Sequence, residues 1–154
     1  MRIIPLCVSL ILAATSSIAN PFTVDELRSA VIARDFDAVR SGLNQAQQAF
    51  LDGKRPADDI RDLFIALSRS APETVALVED WLARDPDNPK AQIARAWSLY
   101  EAARHVRSAG NGYSAQVANN MLTRTDVLAS AAYSSEPYLI PASDALVRGV
   151  GRVR

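Results

Sequence analysis

His105 is the only imidazole in the 154-residue chain, so any histidine-based proton transfer or metal binding must use it. Arg104 and Arg107 flank it. No serine nucleophile elbow accompanies it, and no second metal ligand lies nearby in sequence. The ordinary reading is a surface or groove-lining side chain. Asp58, Asp59 and Asp62 form an acidic cluster, with Asp58 and Asp62 one helical turn apart. Calcium loops gather oxygens around a glycine-containing turn, which is missing here, so a helix start enriched in aspartate explains the cluster. Asp85, Asp87 and Asn88 alternate like the start of a calcium loop, but Pro86, Pro89 and the missing distal glutamate spoil that pattern. Gly110-Asn111-Gly112 lacks the further glycine and the lysine of a phosphate loop. These residues predict no catalytic residue, no metal site and no cofactor.

Recognition is better served by the aromatic residues. Trp81, Trp97, Tyr100 and Tyr113 are the strongest binding candidates. Trp97, Tyr100, Arg104 and His105 fall on one stretch that reads as helical, and together with Tyr113 they make a candidate groove. Trp residues at helical spacing are more often core than groove, and that reading takes the larger share for Trp81 and Trp97.

Composition narrows the classes. The chain has 17 basic and 17 acidic residues, which argues against a nucleic-acid binder. Residues 20–90 carry a balance of −4 and residues 91–154 one of +3, a mild dipole that solvated faces explain as well as an anionic partner does. One Cys and one His exclude zinc clusters and disulfide frameworks. Hydrophobic residues make up 49% and charged ones 22%, the balance of a globular chain. Twenty-six Ala against 6 Gly lean towards helix.

The first residues read as an address. Arg2 precedes an apolar run from Ile3 to Ala14, and Ser17 and Ala19 supply the small side chains that a signal peptidase accepts. The run is too short to span a bilayer of about 30 Å. Residues 1–19 are expected to be a signal peptide, leaving a single domain over residues 20–154 with no transmembrane segment and no thiol. Cys7 lies inside the run rather than after it, which argues against lipid attachment. All but Lys54 and Lys90 of the basic residues are Arg, a skew that a GC-rich bacterial genome explains. The periplasm or the exterior is the expected destination.

The mature chain reads as helix after helix. Thr23-Val24-Asp25-Glu26 is a capping box, with Phe22 before it as a hydrophobic staple, and it opens a helix over about 24–34. Phe36, Val39, Leu43, Ala46 and Phe50 step by three and four along a second helix that Gly53 ends. Gly42 inside it marks either a close helix approach or a cost of about 1 kcal/mol. Ile60, Leu63, Phe64 and Leu67 stripe the third. Val75, Val78 and Leu82 stripe the fourth, with Leu77 and Trp81 beside them. The fifth runs over about 89–109. The sixth spans about 113–134, with Tyr113, Val117, Met121, Leu122, Thr125 and Leu128 along a face. A last helix is expected over about 138–148. No stretch alternates in the strand manner, and the fold class is all-α.

Trp81-Leu82-Ala83-Arg84-Asp85-Pro86-Asp87-Asn88-Pro89 resembles the junction between two tetratricopeptide (TPR) hairpins, where an apolar pair, a spacer and Asp-Pro separate two helices. Trp81 stands where that repeat has a small residue, and Val78 where it has an aromatic. Ser134-Ser135-Glu136-Pro137 is a weaker copy, and the spacing of Pro86 and Pro137 implies helices longer than standard. Over about 24–148 the chain is similar to the bacterial domain-of-unknown-function family 4034. The resemblance implies antiparallel helical hairpins in a TPR-like right-handed stack of about seven helices. It brings no catalytic residues. By this pattern the chain stops after the opening helix of a further hairpin, and two readings stand: a short member of the family, or one truncated at its C-terminus relative to longer relatives. The function expected is a non-enzymatic module binding a protein or peptide. The alternative is a small-molecule binder or enzyme using Trp97, Tyr100 and His105. The sequence sets no oligomeric state.

Overall fold

The computed structural model describes residues 22–68, 71–108, 110, 112–135 and 146–151. Their regular structure is helical, without strands among the described residues. The expected signal peptide, Cys7, and the residues Pro137, Leu139 and Pro141 lie outside the described set.

α1 (Val24–Ile32) starts on the expected capping box. The Glu26 amide donates to Thr23 Oγ1 at 3.2 Å, and the Thr23 amide donates back to Glu26 Oε2 at 2.7 Å. Phe22 sets its ring against Gly42 of α2 (Phe36–Leu51), where a methyl group would fall on the ring. Gly42 thus gives room to an incoming aromatic ring. The α2 seam is as spaced: Val39, Leu43 and Ala46 are buried, with Phe36 and Phe50 half-buried at its ends. Gly53, at φ 69°, turns the chain out of α2.

α3 (Ala57–Leu67) buries its four predicted residues Ile60, Leu63, Phe64 and Leu67. α4 (Pro72–Arg84) starts on Pro72, where a missing amide donor costs nothing. Its buried face is Thr74, Leu77, Val78 and Trp81, while Val75 is exposed and Leu82 half-buried. The predicted stripe is therefore rotated, because α4 touches α1, α3 and α5 together and turns its largest side chain, Trp81, inward.

α5 (Pro89–Ser108) is capped by Asn88, whose Oδ1 accepts from the amides of Lys90 and Ala91 at 3.1 and 3.2 Å. Its first half is buried almost all round, at Ala91, Ile93, Ala94, Ala96, Trp97 and Leu99. α6 (Gly112–Ser135) makes the most extensive pairing in the molecule with α5. Its buried seam is Ser114, Ala118, Leu122, Thr125, Ala129 and Ala132. Only Leu122 and Thr125 of the predicted face belong to it. Val117, Met121 and Leu128 are half-buried at its margin. Small residues take the seam because two long alanine-rich helices can approach closely only there. Residues 146–151 form a further helical segment, α7, extending past the predicted end. It buries Leu146 and Val150 and sets Gly149 against Tyr100. One hydrophobic core runs from Leu27 in α1 to Leu146 in α7.

Candidate functional site

The turn between α1 and α2 contains the one described non-glycine residue at positive φ. Arg34 sits at φ 54°. Its amide donates to the Val31 carbonyl at 3.0 Å, and the Asp35 amide donates to the Ala30 carbonyl at 2.9 Å. That pair of bonds closes a Schellman motif, whose left-handed position favours glycine. The matching turn after α2 obeys the preference with Gly53, whose amide donates to the Phe50 carbonyl while the Lys54 amide donates to that of Ala49. An L-residue in this conformation costs about 1–2 kcal/mol. Two structurally equivalent turns in one chain thus use different residues, and the arginine is the costlier one.

Arg34 is exposed and faces an open cleft of about 590 Å³ that it lines with Asp35, Phe36, Asp37, Asp80 and Arg84. Arg84 enters from the last turn of α4, where its charge also complements the helix dipole. Its guanidinium lies over the Phe36 ring, 4.4 Å from the centroid. Two of the cleft's aspartates have partners already. The Asp35 carboxylate caps α2 by accepting the Ala38 amide at 2.9 Å, and Asp37 accepts from Arg40 at 3.0 Å. Among the described residues, Arg34 and Arg84 have no ion-pair partner. A smaller cavity of about 150 Å³ adjoins the cleft, sharing Phe36, Asp37 and Arg84 and adding Arg40, Trp81 and Asp85. Phe36 lines both cavities, and Trp81 lines the smaller one as well.

A third cavity, of about 220 Å³, is apolar. It lies between α1 and the start of α4, lined by Leu27, Val31, Ile32, Ala66, Ala71 and Thr74 with Arg28 and Glu73 at hand. Ile32 beside it is 73% exposed.

The five sequence-predicted groove residues are distributed differently. Trp97 is 5% exposed and belongs to the main core. Its indole meets Tyr100 edge to face, with centroids 5.9 Å apart and planes at 87°. The Trp97 Nε1 has no hydrogen-bond partner among the described residues. Tyr100 is half-buried against Gly149 of α7. Arg104 is exposed, with its guanidinium 5.9 Å from the Tyr100 centroid and bonded to Glu101 at 3.3 Å. His105 is exposed, and its carbonyl accepts the Ser108 hydroxyl at 2.6 Å. Tyr113 is the second residue of α6, and its side chain lies outside the described set. Trp97 and Arg104 therefore both meet the Tyr100 ring, and none of the five lines any of the three cavities above.

Sequence reasoning passed over Arg34, Asp80 and Arg84. The sequence places Arg34 inside the helix expected over about 24–34, and only the structure shows the Schellman end that puts it at positive φ. The meeting of Arg84 with Phe36 has no local signal, because it joins α4 to α2.

Among the described residues, no three His, Cys, Asp or Glu side chains are grouped to hold a metal ion. No described helix is long and apolar enough to cross a membrane. Comparison with known proteins gives no match to the chain among family models, curated proteins or solved structures.

Proposed function

We propose that the chain is an exported, non-enzymatic module of TPR-like helical hairpins, similar to the domain-of-unknown-function family 4034, that binds a protein or peptide segment in the bacterial periplasm. The observation that carries this reading is the order in which helices touch. Each of the odd-numbered helices α1, α3 and α5 meets the helix that follows it. α3 and α5 also each meet both members of the preceding pair. A stack of helical hairpins has that contact order. The contact between α1 and α4 is an addition to it. The open charged cleft at the α1–α2 turn gives such a module a surface on which a partner's polar groups can lie.

Export is tested by fusing residues 1–24 to an alkaline phosphatase lacking its own leader. The fusion is expected to be active, since that enzyme matures only outside the cytoplasm. An inactive, full-length fusion would overturn export. Binding is tested by titrating the mature chain with peptide sets of acidic, basic and apolar character. Saturable binding of one set is expected, and failure of all three, with a clean monomer in solution, would count against the module. His105→Ala addresses the enzyme reading: lost function at unchanged stability would favour it.

A further inference from the structure

We infer that the apolar cavity between α1 and the start of α4 is where a second copy of the chain docks, about a two-fold axis. The cavity measures about 220 Å³ and opens to solvent between Leu27, Val31, Ile32, Ala66, Ala71 and Thr74. A cavity of about 150 Å³ already admits benzene, so this one has room for an aliphatic side chain. Ile32 stands on its wall and is 73% exposed, the most exposed large apolar residue among those described. Val75, one turn on from Ala71 and 36% exposed, extends the apolar surface. A projecting side chain and a hole that fits it thus share one patch. A two-fold contact presses one patch against its own copy, so the patch must carry both halves of each complementary pair. Ile32 of each copy then fills the other's cavity, and both leave water.

The charges at the cavity follow the same rule. Arg28 stands on the α1 wall and Glu73 in the first turn of α4. With one cation and one anion, the lining favours neither an acidic nor a basic partner. A copy of the same surface matches it by symmetry, with each Arg28 opposite the other copy's Glu73. Glu73 has no ion-pair partner among the described residues. Arg28 donates through Nη1 to Asp25 at 2.9 Å, an exposed pair that holds it weakly. A guanidinium carries five N–H donors, so others remain for a second carboxylate.

Sedimentation equilibrium of the mature chain, over about 10 μM to about 1 mM, reads the association directly. A reversible monomer–dimer equilibrium is expected. Ile32→Asp should weaken it at least about tenfold, because the dimer would bury an unpaired charge. Its thermal melt should stay close to the parent's, since Ile32 is exposed in the single chain. Arg28→Glu and Glu73→Arg should each weaken the dimer about tenfold by setting like charges together. Both changes in one chain should bring affinity back to within about threefold of the parent, a recovery that a role within the single chain would not produce. A chain that stays monomeric throughout, or a dimer indifferent to Ile32→Asp, would overturn the contact. Affinity unchanged by either charge reversal, or not recovered by the two together, would overturn the two-fold pairing, as would growth beyond two copies. If a monomeric chain binds apolar peptides and loses them in Ile32→Asp, the cavity belongs to a peptide partner and the second copy is ruled out.

Discussion

Thr23 and Glu26 show how one pair of side chains starts a domain. The Thr23 amide, and then its hydroxyl, hold the Glu26 carboxyl below the usual carboxylate range. A carboxyl lowered on folding adds stability that is present above its ordinary range and is lost as pH falls through the lowered value. Glu26→Gln should therefore flatten the acid side of a pH–melting profile while leaving neutral pH less affected. Thr23→Ala should cost about 1 kcal/mol in denaturant unfolding. Arg55 is a different case. Its side chain is 7% exposed, its Nε is 3.5 Å from Asp59 Oδ2, and its Nε and Nη1 lack hydrogen-bond partners among the described residues. A buried ion of this kind is weak evidence of stabilisation. Arg55→Met is expected to leave stability unchanged or raise it. Asp59→Ala is expected to lower stability by stripping the guanidinium of its counter-charge. A chemical-denaturation midpoint for each variant checks both.

At the scale of elements, the α5–α6 pair is the densest part of the molecule, and its seam is built of small residues. Ala118 and Ala129 are buried against α5, whereas Ala131 on the same helix is exposed. Ala118→Leu should overpack the seam and cost about 1–3 kcal/mol. Ala131→Leu, with equal helix propensity and no neighbour to displace, should stay within about 0.5 kcal/mol of the parent in the same unfolding assay. The helices themselves were legible because each carries local signals: a capping box at Thr23, the three-and-four spacing from Val39 to Ala46, Pro72 at the first position of α4, and Asn88 before α5. Which face each helix buries was legible for α2 and α3, whose large apolar residues form single stripes. It was misread for α4 and α6. There the apolar residues spread over more than half the circumference, and the neighbours decide which of them turn inward.

For the whole molecule, the core that runs from Leu27 to Leu146 joins the first described helix to the last. Residues 20–154 should accordingly melt in one cooperative transition, with calorimetric and van't Hoff enthalpies in agreement. Two separated transitions would mean that α5–α7 and α1–α4 fold as independent units. Leu146 ties α7 to this core, and Gly149 lets α7 approach α5 closely, since a methyl group there would sit 2.7 Å from Tyr100 Oη. Gly149→Leu should lift α7 from α5. The expected signs are a lower midpoint and a red-shifted tryptophan emission, as Trp97 loses its cover.

The sequence by itself determined the helical class, the starts of α1 to α6, and the seams of α2 and α3, because those depend on residues within one or two turns of each other. Tertiary structure decided that Trp97 lies in the core, that Gly42 faces Phe22, and that Arg84 crosses from α4 to the Phe36 ring beside Arg34. These outcomes join residues that are distant in the chain, and only the packing of one helix against another selects among the faces that local patterning leaves open.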